Sequence, residues 1–197
     1  VAFLLPALPL TADVVGEVVN NNASLRPTGG KGRSQTLLRP GRFAVSVNIS
    51  AQYEACANEW LAVHLRHLTE GPDVRLAWPR DGVAGLPAGA KVDGAGQTGA
   101  LLAVKGLDPG QVIKVFTPFS FISGGVSYMH RNTVAVVADG AGKATLSIGP
   151  VMRVSPADNL ALNFTAPIIE GELDTGPLQW TFKRWRTIGL SFKITER

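Results

Sequence analysis

The sequence predicts a mainly β protein with one flanking α-helix and a small β-barrel inserted into its sheet. Three observations carry that expectation. Residues 43–49 and 188–194 alternate between large apolar residues and small or polar ones, the period of a strand with one buried face. Residues 89–167, with a change of composition at Lys91, break into short apolar runs divided by Asp-Gly and Gly-rich turns, the spacing of a small barrel or sandwich. Only residues 51–70 repeat apolar positions at helical spacing.

Taken in order, the opening Val1-Ala2-Phe3-Leu4-Leu5-Pro6-Ala7-Leu8-Pro9-Leu10 is apolar and twice interrupted by proline. It is too short to span a bilayer and has no basic n-region, so it reads as an extended arm or edge segment rather than a leader. The tripeptides at Asn22, Asn48 and Asn163 that match a glycosylation acceptor are then expected to be chance matches. Residues 20–42 hold Asn20-Asn21-Asn22, Gly29-Gly30-Lys31-Gly32 and Arg39-Pro40-Gly41 without apolar periodicity, which predicts a loop. Phe43, Val45, Val47 and Ile49 mark the first clear strand.

Ser50 offers an N-cap for the helix at 51–70, with Tyr53, Cys56, Ala57, Trp60, Leu61, His64 and Leu68 on its inner stripe. Gly71-Pro72 stops it. Val74, Leu76 and Trp78 alternate as a further strand, and Pro79 to Ala90 reads as a linker rich in Gly, Ala and Pro. Inside the insertion, strands are expected at 101–104, 112–116, 127–137, 144–148 and 160–164. The turns between them include Asp108-Pro109-Gly110, Ser123-Gly124-Gly125 and Asp139-Gly140. Leu178, Trp180 and Phe182, then Ile188, Leu190, Phe192 and Ile194, close the chain as strands. The last of these is expected to complete the sheet begun at Phe43, leaving a discontinuous domain of 1–88 and 168–197 around an inserted domain of 89–167.

Chemistry is thinly supplied. One cysteine excludes an internal disulfide, and three histidines leave little for a metal site. His64 and His67 stand at i, i+3 without the Glu of a zinc helix, and His130 is remote from both, so they read as core or surface residues. The Gly29–Ser34 stretch lacks Walker spacing, and no helix follows Gly94-Ala95-Gly96-Gln97-Thr98-Gly99. Ser127 falls in a strand rather than a nucleophile elbow, and Glu170 and Glu172 read as surface carboxylates. The sequence therefore points away from an enzyme and implies no cofactor and no metal.

Surfaces are the stronger theme. Charged residues make up 17% of the chain, below the roughly 25% of ordinary domains, so part of the surface is expected to be covered in an assembly. Between Glu17 and Glu54 there is no acid, while Arg26, Lys31, Arg33, Arg39 and Arg42 all fall there. That asymmetry fits an acidic neighbouring subunit or a polyanion, although neither this run nor Lys183-Arg184-Trp185-Arg186 carries a nucleic-acid motif. Trp60, Trp78 and Trp180 fit the core. Trp185, flanked by Arg184 and Arg186, is the expected interface anchor.

Several stretches resemble a family of structural proteins from tailed bacteriophages and prophages. They are Lys91-Val92-Asp93-Gly94-Ala95-Gly96-Gln97-Thr98-Gly99, Ala138-Asp139-Gly140-Ala141-Gly142-Lys143-Ala144-Thr145-Leu146, Pro150-Val151-Met152-Arg153 and Thr187-Ile188-Gly189-Leu190-Ser191-Phe192, with the Arg39-Pro40-Gly41-Arg42-Phe43 strand entry. The arrangement is most similar to the distal tail proteins of long-tailed phages. The resemblance implies a tail-tube-like β-sandwich with a flanking helix and an inserted barrel of oligonucleotide/oligosaccharide-binding type. It further implies a homo-hexameric ring in the virion tail, made in the bacterial cytoplasm, that joins the tail tube protein to the baseplate hub protein. DNA would pass through its lumen, no membrane would be entered, and no catalytic residues are carried over. Other classes compatible with the sequence are a carbohydrate- or receptor-binding β-module using Phe119, Phe121 or Tyr128, another tail-tube or head–tail connector ring protein, and a tail-lysozyme hydrolase built on a carboxylate pair.

Overall fold

The computed structural model describes residues 2–10, 12–19, 23–25, 35–37, 41–50, 54–71, 73–78, 85–174, 182–183, 186–187 and 189–197. In chain order the strands are β1 (Phe3–Leu4), β2 (Ala12–Val19), β3 (Ala23–Leu25), β4 (Gln35–Leu37) and β5 (Arg42–Ile49). Helix α1 (Glu54–Glu70) and β6 (Asp73–Ala77) follow. Next come β7 (Lys91–Val92), β8 (Gly99–Lys105), β9 (Val112–Ile113), β10 (Pro118–Ser123), β11 (Val126–Asn132), β12 (Val136–Val137) and β13 (Ala144–Met152). The chain ends with β14 (Ile168–Asp174), β15 (Phe182–Lys183), β16 (Arg186–Thr187) and β17 (Leu190–Glu196). Among the described residues the protein is mainly β with one helix.

A six-stranded sheet in the order β1-β6-β14-β17-β5-β2 draws its strands from both ends of the sequence. Its register follows from the alternation of side chains. Val14 of β2 pairs with Val47 of β5, and Val47 with Phe192 of β17, so these three apolar residues share one face. Helix α1 lies against that face. Trp60 stacks on Phe192 at 5.5 Å and His64 meets the same ring edge-on at 5.4 Å. Ala57 and Val63 are buried with them. Val63 replaces Leu68, which the helical spacing placed in the stripe but which is 70% exposed near the helix C-terminus.

The sheet packs tightly where β-carbons are missing. A Cβ on Gly16 would stand 2.8 Å from the Trp78 indole, so glycine there lets Trp78 lie against β2. A Cβ on Gly171 would fall 2.0 Å from the Thr195 carbonyl, so β14 and β17 approach as only glycine permits.

The second sheet, β10-β11-β13-β8-β7, lies wholly within residues 91–152. Its two edge strands are joined by the segment 160–163. Lys91 of β7 bridges Ala161, and Ser120 of β10 bridges Asn163. The sheet therefore curls round a core of Leu102, Val104, Ile113, Phe119, Phe121, Leu146 and Phe164. This corrects two expectations. Residues 160–164 form single bridges rather than a strand, and 118–123, missed by the periodicity, is a full strand. A two-residue turn with positive φ at both Gly124 (58°) and Gly125 (82°) closes β10 on β11, which suits the right-handed twist of the pair.

Further departures follow from turn chemistry. Residues 20–42 are not simply a loop, because Ala23–Leu25 pairs antiparallel with Gln35–Leu37 as a separate two-stranded ribbon. The strand expected at 112–116 stops at Ile113, and Phe116 takes a φ of 63°. The strand expected at 127–137 divides into β11 and β12.

Candidate assembly surfaces

Two buried carboxylates of the large sheet hold the small one in place. In the β10–β11 hairpin the amides of residues 126, 128 and 130 face β10, so those of Ser127 and Met129 point away from it. Ser127 N–H donates to Glu170 Oε2 at 2.7 Å, and Met129 N–H donates to Glu196 Oε1 at 2.8 Å. Side chains thus replace a ladder partner along this part of β11. Arg75 Nε caps Glu170 at 2.7 Å, and an Arg75 amino group also donates to the Gly125 carbonyl. Arg153 meets Glu196 at 2.7 Å, and the backbone of Phe43 in β5 donates to the same carboxylate at 3.2 Å.

Glu170 is therefore a buried structural residue, and the surface role expected for it is corrected. Glu172, two residues on, is exposed. Ser127 lies beside Glu170 but donates its hydroxyl to the Ile168 carbonyl at 2.9 Å, so it is held as a hydrogen-bond donor. Burial raises the Glu196 carboxyl above its ordinary range, opposed by Arg153 and the two backbone amides.

The histidines are packing residues. His64 Nδ1 lies 2.7 Å from the Trp60 carbonyl and donates to it, and the pKa of the ring is lowered first by burial. A carbonyl can only accept, so Nδ1 carries the proton. His130 makes the same kind of contact to Pro150 O at 2.9 Å and lies against Phe121 and Phe119, with ring centroids at 5.5 and 6.0 Å. Among the described residues no group of three or more His, Cys, Asp or Glu is placed to hold a metal ion.

The aromatic residues considered for sugar binding are not open platforms. Phe119 and Phe121 are buried, and Tyr128 stacks on Phe121 with the Arg153 guanidinium against its ring. No helix among the described residues is long and apolar enough to cross a membrane.

Two surfaces stand out as unmatched. The first is β2, eight residues long and terminal in the six-stranded sheet. Val15 and Val18, on opposite faces of the strand, are 58% and 60% exposed, and Asp13 is exposed on the same face as Val15. Glu17 is taken up by Ser46 at 3.3 Å and by Lys193 at 2.5 Å, which hold its carboxyl below the usual range.

The second surface is the two-stranded β9–β12 ribbon. Val112 and Val137 are directly opposite one another and both exposed. Val115, Phe116 and Val134 add further exposed apolar area, and a groove of about 220 Å³ lined by Leu86, Pro87, Phe116 and Pro118 runs alongside. Asn132, fully buried, fixes this ribbon. Its Oδ1 accepts from Thr117 N–H at 2.7 Å, while Nδ2 donates to Val134 O at 3.0 Å and Ile113 O at 3.4 Å. Phe116 is presented on a left-handed backbone with the Arg131 guanidinium 4.2 Å from its ring centroid, and the same guanidinium is 4.7 Å from Trp78. A non-glycine residue held at positive φ stores strain that the surroundings must sustain.

Of the interface residues expected from sequence, Arg42 is exposed at the start of β5, opposite Val19. Arg186 pairs with Lys183 in the short β15–β16 ribbon. Arg26, Lys31, Arg33, Arg39, Arg184 and Trp185 lie outside the described residues. Sequence reasoning missed the β9–β12 ribbon as a surface, and the one available signal was the density of Val and Phe in 112–116 and 134–137. No protein-family model matches this chain, and comparison with curated proteins finds no significant relative.

Proposed function

We propose that this chain is a structural subunit of a bacteriophage tail, of the distal tail class. In this reading it forms a homo-hexameric ring that joins the tail tube to the baseplate or tail-tip hub, with DNA passing through the lumen. The resemblance of the turn and strand-end residues supplies the class. The observation that carries the assembly role is the fixed, exposed apolar ribbon around Phe116, because soluble monomers seldom keep several large apolar residues clustered in the open. The curled 91–152 sheet would be the counterpart of the accessory barrel in that class, and the β2–β5 hairpin would be an arm engaged on assembly.

The test is the oligomeric state of the purified chain, by light scattering with negative-stain images. Closed rings, six-fold in projection, are the expected result. A chain that remains monomeric at high concentration and binds defined glycans on an array would overturn the reading in favour of a binding module.

A further inference from the structure

The two unmatched surfaces of this chain complement one another. The β2 edge offers backbone that no further strand among the described residues pairs, the exposed side chains of Val15 and Val18, and Asp13, which enters no ion pair among the described residues. The β9–β12 ribbon is a two-stranded sheet with no further strand on its outer edges among the described residues, and it offers Val112, Val137, Val115 and Phe116. Beside them stands Lys114, exposed and likewise in no ion pair among the described residues. Each surface exposes apolar side chains, neither is extended by a further strand among the described residues, and their charges are opposite.

The other edge of the large sheet is a poorer template. β1 has only two residues and pairs in parallel with β6. An exposed eight-residue edge without proline or bulge is the kind that natural proteins cover or pair.

We infer that the β2 edge of one copy docks on the β9–β12 ribbon of the next, with Asp13 meeting Lys114. The inference rests on the reading that the chain assembles with copies of itself, and it names the surfaces that do so. Because the two surfaces differ, the contact is head-to-tail, and its repetition generates a closed ring or a filament rather than a two-fold dimer. Strand addition supplies backbone hydrogen bonds, the valines and Phe116 supply apolar burial, and the charge pair fixes register. The Asn132 clamp keeps the ribbon in one shape before contact, which lowers the ordering cost of association.

A charge exchange in the full-length chain tests this, read as the concentration for half-assembly in light scattering. Both residues are exposed, so Asp13→Lys and Lys114→Asp should leave the circular dichroism and melting temperature of the subunit unchanged. Each single variant is expected to raise the half-assembly concentration by about tenfold or more, since it places like charges together. The combined variant D13K/K114D should return to within a few-fold of the parent. Single variants that assemble like the parent would overturn this contact while leaving self-assembly intact. Single variants that weaken assembly without recovery in the combined variant would overturn the pairing of these two residues. A parent chain that stays monomeric throughout would overturn both the contact and the assembly reading beneath it.

Discussion

At the scale of single residues, His130 shows how a titratable group becomes a packing element. Its ring is 1% exposed between Phe119 and Phe121, and its single hydrogen bond, to Pro150 O, satisfies Nδ1 while Nε2 is buried without a partner. Burial, with Arg153 acting in the same direction, pushes its pKa down to about 4 from the ordinary 6.5. The unfolded chain therefore binds a proton at this site below pH 6.5, whereas the folded chain resists until about pH 4. The contribution to stability is complete above pH 6.5 and is lost as the pH falls through that window. The difference of about 2.5 pKa units amounts to about 3 kcal/mol. His64 acts with the same sign, because burial lowers it too. Denaturant unfolding between pH 4 and 7 should show this loss, and His130→Phe should flatten part of the slope. An unchanged slope in that variant would place the acid sensitivity elsewhere.

At the scale of elements, the Asn132 carboxamide ties the β9–β12 ribbon to β11 through hydrogen bonds to residues 113, 117 and 134. Asn132→Ala leaves the buried Thr117 amide only its longer bond to Lys114 O at 3.3 Å and removes the side-chain donor from the Ile113 and Val134 carbonyls, and an unsatisfied buried group costs roughly 1–3 kcal/mol. The expected loss is about 2–4 kcal/mol in denaturant titration, with faster amide exchange at 112–117 and weaker self-assembly. Loss of stability without faster exchange there would show that Asn132 does not hold the ribbon. The same elements mark what periodicity can and cannot reveal. The strand at 42–49 and the one at 190–196 were legible because each buries one face beside a solvated one. β10 was not, since Pro118, Phe119, Ser120 and Phe121 are all buried and produce no alternation. Residues 112–116 read as a strand from their apolar content, but the chain turns after Ile113, with Thr117 N–H bonded back to Lys114 O and Phe116 at positive φ, and a turn built from such residues has no sequence period.

At the scale of the whole molecule, the link between the sheets was invisible in the sequence because its parts are far apart along the chain. Glu196, within the polar run Thr195-Glu196-Arg197, would pass for a solvated charge, yet it is 1% exposed and joins β5, β11 and Arg153. Glu170, 43 residues beyond Ser127, performs the same task one step along β11. A buried pair of this kind is costly to break and cheap to replace entirely, because a lone buried charge has nothing to offset its lost hydration. Glu196→Gln keeps one acceptor oxygen, which can serve only one of the Phe43 and Met129 amides because they use different carboxylate oxygens, and it leaves the Arg153 guanidinium, 14% exposed, without its counter-charge. The expected cost is about 3–5 kcal/mol, with separate unfolding transitions for the two sheets as their link fails. Adding Arg153→Met removes the stranded cation and should recover part of that loss, so the double variant should be more stable than Glu196→Gln alone. Urea unfolding followed by tryptophan fluorescence and far-UV circular dichroism provides the comparison, since both report on one transition only while the sheets unfold together. If the double variant is no more stable than the single one, Arg153 and Glu196 do not act as a pair, and the joint rests on the two backbone amides instead.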